Sequence, residues 1–356
     1  MLESLQKEFD SLVTRSDLSK QLARELRFTR SKLKGLTRAE RNAFEERVAA
    51  LYGRLDSAAR LFAKRGDKGV DEFFYSQEDL PLTGKEYWFL DFVSTKGDKK
   101  QLILTFGRSE AETKVNGKRV RKGKYAAVAW AFTNKKRVLF DEVTGVEVKE
   151  GSINSKRFRL SGAFPKYEVR VGKRTRLRLT APKQGRAKEK ISFFIRGLGL
   201  GLANLFLDCK GELEGAPFSG RCYVQKVVAV VPFMPWNWVR IAFKDNSTLD
   251  YFSPKLGLSK SGYEFRRRGN YYHAPSGKSF ALKDLRFRRL PGDRWLLEGD
   301  EFSALFKSYA FEPFEFKGVG GFRYDEYFVE CLDLHYKGKE NAGGAGIIED
   351  AYGLMI

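Results

Sequence analysis

An aromatic-led hairpin occurs twice in this chain. Glu86-Tyr87-Trp88-Phe89-Leu90-Asp91-Phe92, then Lys96-Gly97-Asp98 and Leu102-Ile103-Leu104, has a counterpart in Trp236-Asn237-Trp238-Val239-Arg240-Ile241-Ala242-Phe243, then Lys244-Asp245-Asn246 and Leu249-Asp250-Tyr251. A second pair closes the two copies: Lys210-Gly211 and Gly220-Arg221-Cys222-Tyr223-Val224-Gln225 match Lys337-Gly338 and Gly344-Ala345-Gly346-Ile347-Ile348-Glu349. Internal similarity of this kind marks a duplicated structural unit. The chain therefore reads as two similar β units, about 75–232 and 233–356, with Pro232 and Pro235 at the joint. Its 356 residues agree with two domains plus an appendage.

From about Asp71 onward, short runs rich in Phe, Val, Tyr and Leu are separated by Gly, Asn, Asp or Pro, with hardly any helical periodicity. That is the signature of an all-β sandwich or barrel. The segment before it differs. Leu18, Leu22, Leu26 and Leu33 keep helical spacing behind Ser16, and Gly35 breaks the run. Thr37-Arg38-Ala39-Glu40 has the form of a capping box, and Phe44, Val48, Leu51, Leu55, Ala58 and Phe62 then form one apolar stripe. The expected organisation is a helical segment over 1–70, a first β domain over 71–232 and a second over 233–356.

Hydrophobic residues make 42% of the chain, which is too many for a disordered one. No run approaches the roughly 18 apolar residues of a membrane-spanning helix, and Met1 to Lys20 alternate charge with Leu in place of a signal core. A cytoplasmic protein is expected, with peripheral attachment to a membrane as an extension of that reading. Cys209, Cys222 and Cys331 are an odd set without a C-x-x-C pair, so neither a disulfide framework nor a cysteine zinc site is indicated. His273 and His335 are the only histidines, which argues against histidine-based metal chemistry.

The net charge of +21 favours polyanions or anionic lipid surfaces. Residues 110–190 hold 23 basic and 8 acidic side chains, while the segment after Gly321 is acidic on balance. In stretches such as Arg157-Phe158-Arg159-Leu160 and Arg174-Thr175-Arg176-Leu177-Arg178-Leu179 the cations alternate with apolar residues, as on a solvated strand face. Gly197-Leu198-Gly199-Leu200-Gly201 lacks a following Gly-Lys-Ser/Thr and reads as a glycine-rich connection. Arg266-Arg267-Arg268-Gly269-Asn270-Tyr271-Tyr272 mixes cations and rings as single-strand binders do, and equally as a turn between exposed strands does.

The order Glu86-Tyr87-Trp88-Phe89, Gly220-x-x-Tyr223-x-Gln225, Trp236-x-Trp238 and the closing Gly-Ala-Gly-Ile-Ile-Glu of 344–349 resembles the lipocalin-like hydroxyneurosporene synthase family, which includes carotenoid hydratases. The resemblance covers roughly 72–356. It implies a mainly β protein with two lipocalin-like antiparallel β-barrel domains side by side after the helical segment. It also implies an apolar ligand such as an isoprenoid or polyketide in a cavity near their interface, and no metal or organic cofactor. The family's hydratases carry an acidic residue, a His and a Trp before a Gly in the strand matching Tyr223 to Val228. Here that stretch reads Gln225-Lys226-Val227-Val228-Ala229, so the His falls at Lys226 and the Trp at Val228.

The candidate acid that remains is Asp250, beside Tyr251, if burial raises its pKa; Tyr223 is the second catalytic candidate. Trp88, Trp236 and Trp238, with Tyr87 and Tyr223, suit the wall of an apolar cavity or a plain barrel core. Lys226 after Gln225 on an apolar strand must either point outward or meet a carboxylate such as Glu86 or Glu349. Three functions follow: binding of a large apolar molecule between the domains, with the basic face on an anionic membrane; a nucleic-acid-binding module in which 110–190 and the N-terminal helices clamp phosphate; or a cofactor-free hydratase or cyclase using Asp250 or Tyr223.

Overall fold

The computed structural model describes residues 70–355 except 78–79, 81–83, 135, 143–144, 184–187, 196–197, 231–234, 257–259, 261–262, 265–266, 319 and 342, together with Thr37 and Ala39. Apart from Thr37, Ala39 and its last position, the helical segment expected over 1–70 lies outside these residues. One short helix, α1 (Val70–Tyr75), leads into the strands.

In chain order the strands are β1 (Lys85–Ser94), β2 (Gln101–Ser109), β3 (Thr113–Val115), β4 (Lys118–Val120), β5 (Tyr125–Thr133), β6 (Lys136–Glu142), β7 (Glu147–Lys149), β8 (Ser152–Asn154), β9 (Phe158–Ala163), β10 (Lys166–Val171), β11 (Thr175–Thr180), β12 (Lys188–Ile195), β13 (Leu198–Leu213) and β14 (Ala216–Val230). They continue as β15 (Trp236–Ala242), β16 (Thr248–Leu256), β17 (Tyr263–Glu264), β18 (Arg268–His273), β19 (Lys278–Leu282), β20 (Arg286–Leu290), β21 (Arg294–Gly299), β22 (Phe302–Gly318), β23 (Gly320–Tyr336), β24 (Lys339–Asn341) and β25 (Gly344–Met355). All pairings are antiparallel. The first sheet runs β6-β5-β2-β1-β14-β13-β11-β10-β9-β8-β7, and the second β19-β18-β16-β15-β25-β23-β22-β21-β20. The glycine-rich run expected as a connection is ladder instead, because Leu198–Gly201 pairs with β12 on one side and Gly199–Gly201 with β14 on the other.

The first sheet nearly closes into a barrel. Its interior gathers Trp88, Leu90 and Phe92 from β1, Leu104 and Phe106 from β2, Phe158 and Leu160 from β9, Tyr167 and Val169 from β10, and Leu177 and Leu179 from β11. Phe106 and Phe158, on opposite walls, meet edge to face at 6.1 Å. Helix α1 covers one end: Phe74 is fully buried, its carbonyl accepts from Trp88 Nε1 at 2.7 Å, and the Tyr75 hydroxyl donates to Gly162 O at 2.7 Å.

The second sheet curls around its own core of Val239, Tyr251, Tyr271, Trp295, Phe306 and Tyr327 but is not a closed barrel, which departs from the expected pair of barrels. Its edges are β19 and β20, consecutive in sequence. Between them the buried side chain of Leu285 packs against Gly269 of β18 and Gly299 of β21, where an added Cβ would meet it at 2.9 Å.

The duplication is visible in the register. Moving each β1 residue forward by 149 and each β14 residue by 124 converts Phe89↔Gln225 into Trp238↔Glu349, and Asp91↔Tyr223 into Arg240↔Ile347. The sheets meet through their outer faces. Phe89, Ile103, Val128, Trp130 and Tyr223 of the first pack on Phe314, Phe322, Phe328, Ile347 and Ala351 of the second. The β3–β4 hairpin leaves the first half of the chain and adds to β22, where Val115 is opposite Phe316.

Candidate functional site

Side chains alternate along a strand, so β1 serves two cores. Trp88, Leu90 and Phe92 enter the first barrel, whereas Phe89 and Asp91 face the second sheet. The seam so formed is aromatic. Trp130 stacks on Phe328 with ring centroids 3.6 Å apart and 5° between planes. Trp238 lies 5.7 Å from Phe89 and 5.6 Å from Tyr223, and Trp236 packs on Phe322 at 5.1 Å.

Two carboxyl groups lie buried in this seam. Glu326 of β23 and Glu349 of β25 are direct cross-strand partners, 0% and 4% exposed. Each accepts from an indole: Trp130 Nε1 donates to Glu326 Oε2 at 3.1 Å, and Trp236 Nε1 to Glu349 Oε2 at 2.8 Å. The two carboxyls are in hydrogen-bond contact with each other. Glu326 Oε1 is buried with no donor in reach. A carboxylic proton shared by the pair supplies that donor, because two ionised carboxylates in contact repel. Burial raises Glu349 to about 7, with the charge of Asp91 adding to the rise. Burial also pushes Glu326 well up, and the Glu349 charge pushes it further.

Asp91 belongs to the same acidic neighbourhood. Burial lifts it to about 6 against the Gln101 hydrogen bond and the Arg240 charge, which lower it. Gln101 Nε2 donates to Asp91 Oδ1 at 2.8 Å, and the Tyr309 hydroxyl donates to Gln101 Oε1 at 2.7 Å. Tyr309 also lines a cavity of about 210 Å³ at the rim, with Lys99, Glu330 and Cys331.

The repeat supplies a neutral counterpart. Glu326↔Glu349 corresponds to Asn204↔Gln225 in the first sheet, where Tyr223 donates to Asn204 Oδ1 at 2.8 Å and Gln225 Nε2 donates to the Tyr223 hydroxyl at 2.8 Å. One copy carries two amides where the other carries two carboxyls, so only the second can move a proton.

The residues singled out in the sequence fall into four places. Tyr87, Tyr223, Gln225, Trp236, Trp238 and Glu349 gather along the seam. Glu86, Trp88 and Lys226 lie inside the first barrel beneath α1. There Lys226 Nζ is 2.9 Å from Glu86 Oε1, both side chains are fully buried, and the Phe73 and Trp88 rings lie 4.8 and 4.7 Å from the ammonium. Of the outcomes open to Lys226, an outward orientation or a carboxylate such as Glu86 or Glu349, the ion pair with Glu86 is the one found. Arg108 Nε, 2.8 Å away, and the Tyr125 hydroxyl, 3.1 Å away, hold the other Glu86 oxygen. Tyr251 is in the second core, donating to Glu264 Oε2 at 3.0 Å. Asp250, one-third exposed, lies 2.5 Å from NH1 of its cross-strand partner Arg240.

Glu326, Asp91, Trp130 and Asn204 were not singled out by sequence reasoning. Glu326 had a weak signal, a carboxylate in the aromatic-rich run Tyr324 to Val329; its equivalence with Asn204 comes from the strand register. Among the described residues no group of three or more His, Cys, Asp and Glu could hold a metal ion.

No family profile and no curated protein matches this chain. Solved structures do. One assigned as AttH, from Nitrosomonas europaea, matches over 79% of this chain and 97% of its own length at 12% identity, with a TM-score of 0.49. Kievitone hydratase from Nectria haematococca matches over 77% of this chain and 90% of its own length at 10% identity, with a TM-score of 0.47.

Proposed function

We propose that the chain comprises two lipocalin-like units whose seam binds a large apolar small molecule of the isoprenoid, carotenoid-like or polyketide-lipid class, and that Glu326 and Glu349 act on it as a cofactor-free acid–base pair. The observation that carries this reading is the carboxyl pair itself, buried among indole and phenol rings, with Glu326 Oε1 given no donor among the described residues other than a proton shared with Glu349. A carboxyl that keeps its proton near neutral pH can protonate a carbon–carbon double bond. The alkene π electrons take the proton, a carbocation forms, and the electrons of the O–H bond remain on the carboxylate. Ring faces lining the seam stabilise the cation. Water then adds to it and returns a proton to the carboxylate, giving hydration; attack by a second double bond of the ligand, followed by loss of a proton, gives cyclisation. Tyr223 stays among the ligand-facing groups, and Asp250 acts through Arg240, whose guanidinium lies 3.9 Å from the Tyr223 ring.

The rim cavity of about 210 Å³ is smaller than the roughly 300–1,000 Å³ of sites for drug-sized molecules, so a ligand of isoprenoid length does not fit within it. Native mass spectrometry of the purified chain with a hydrophobic lipid extract tests the binding: a retained hydrophobe is expected, and its absence across isoprenoid, carotenoid and polyketide fractions would overturn the reading. For the chemistry, Glu349→Gln and Glu326→Gln each abolish turnover of the retained ligand while leaving its retention intact. Turnover that survives both variants removes the pair from the mechanism.

A further inference from the structure

The wall of the first barrel that faces away from the second sheet carries a charge pattern the fold does not need. Residues 155–183, which contain β9, β10 and β11, hold ten Lys and Arg against one acid, Glu168, and all ten cations are exposed. Their apolar neighbours Phe158, Leu160, Tyr167, Val169, Leu177 and Leu179 fill the interior, so the cations contribute nothing to the core. A solvated sheet face usually alternates sign across strands, because like charges directly opposite one another are destabilising. Here Arg159, Arg170 and Arg176 form one row across three strands. In the next row Arg178 lies opposite Lys210. Within these three strands Glu168 offsets them, 2.5 Å from Arg170 and 3.0 Å from Arg176, and Glu212 of β13 lies opposite Arg176 at the end of the arginine row. Lys173 and Arg174 extend the field at one hairpin, and Lys166 and Lys183 at the other end.

We propose that this wall docks on the surface of an anionic lipid bilayer. The array is two-dimensional, with strands about 4.8 Å apart and rows about 7 Å apart, which suits a plane of headgroups. A single-stranded nucleic acid would require ring faces for its bases. The rings of β9, β10 and β11 are buried in the barrel, and no exposed aromatic stands among the described residues of those strands. Because the opposite wall packs on the second sheet, docking leaves the seam uncovered. The inference is independent of the chemistry proposed for that seam.

Co-sedimentation of the full chain with phosphatidylcholine vesicles, with and without 30 mol% phosphatidylserine (about that fraction), tests it. The wild type is expected to pellet only with the anionic vesicles and to be released by salt near 1 M, where the screening length falls to about 3 Å. Reversing three cations together (R170E, R176E, R178E) should weaken binding by on the order of a hundredfold or more, given the weight of each cation near such a surface. The neutral set R170Q, R176Q, R178Q should show a smaller loss in the same direction, and it guards against a folding defect caused by repulsion. Reversing three exposed cations of the second sheet (K278E, K283E, R286E) should change binding much less. Equal pelleting with neutral vesicles, an equal loss from the second-sheet set, or tighter salt-sensitive retention on RNA or DNA than on anionic vesicles would each overturn the proposal.

Discussion

Glu349 and its partner Glu326 carry a pH dependence whose direction follows from their burial. The folded-state value of Glu349, about 7, lies above the ordinary 4.5. Between those values the folded chain holds a proton that the unfolded chain has released, so stability falls as pH rises from about 4.5 to 7 and stays low above it. The loss contributed by Glu349 is on the order of 3 kcal/mol. Urea denaturation at pH 5 and pH 8 should show this slope in the wild type and a much flatter one in Glu349→Gln; an unchanged slope would count against a shared proton. Lys226 and Glu86 lead to a different expectation. Removing one member of a buried ion pair costs roughly 3–5 kcal/mol. Lys226→Met should fall at the low end, because Arg108 and Tyr125 still hold Glu86. The double variant E86L/K226M should lose less than the two single losses added, a coupling that a double-mutant cycle in urea measures. The sequence left Lys226 either pointing outward or meeting a carboxylate such as Glu86 or Glu349. Both carboxylates are buried, and what separates them is the face of the sheet: Glu86 shares the barrel interior with Lys226, while Glu349 looks into the seam.

At the scale of elements, β25 lies against β15 as closely as its backbone allows. A Cβ placed on Gly346 would fall 1.9 Å from the carbonyl oxygen of Arg240, so Gly346→Ala has to push the two strands apart. A loss of about 3 kcal/mol is expected, read as a lower urea midpoint. Gly321→Ala, with nothing within 4 Å of its Cβ, is the comparison and should shift stability little. The same closeness explains why the glycines of the repeated motif were informative in the sequence. Gly220 and Gly344 are equivalent positions on β14 and β25, and a side chain at either would meet the neighbouring strand or its ring. The curled second sheet was less legible. Its edges are held by the Leu285 wedge between Gly269 and Gly299, a contact between residues that no short-range pattern links.

For the whole molecule, the two sheets are expected to unfold together. The seam buries Trp130, Phe328, Phe89 and Tyr223, and the β3–β4 hairpin belongs by sequence to one half and by hydrogen bonding to the other. Calorimetry should give one transition whose calorimetric and van't Hoff enthalpies agree. Trp130→Ala, which removes the stacked ring and the indole donor to Glu326, should lower the transition, with a loss of about 3–5 kcal/mol; two resolved transitions in the wild type would show the halves to be independent. The sequence by itself determined the β class, the duplication and the outward basic face, because turn residues, repeated aromatic motifs and period-two alternation are local properties of the chain. Only the tertiary structure decided that Glu326 and Glu349 share one buried site, that Asp250 pairs with Arg240, and that Lys226 pairs beneath α1. Those outcomes depend on which strands become neighbours and which faces meet, and residues that touch across a sheet or a seam can be a hundred or more positions apart in the chain, as Trp130 and Glu326 are.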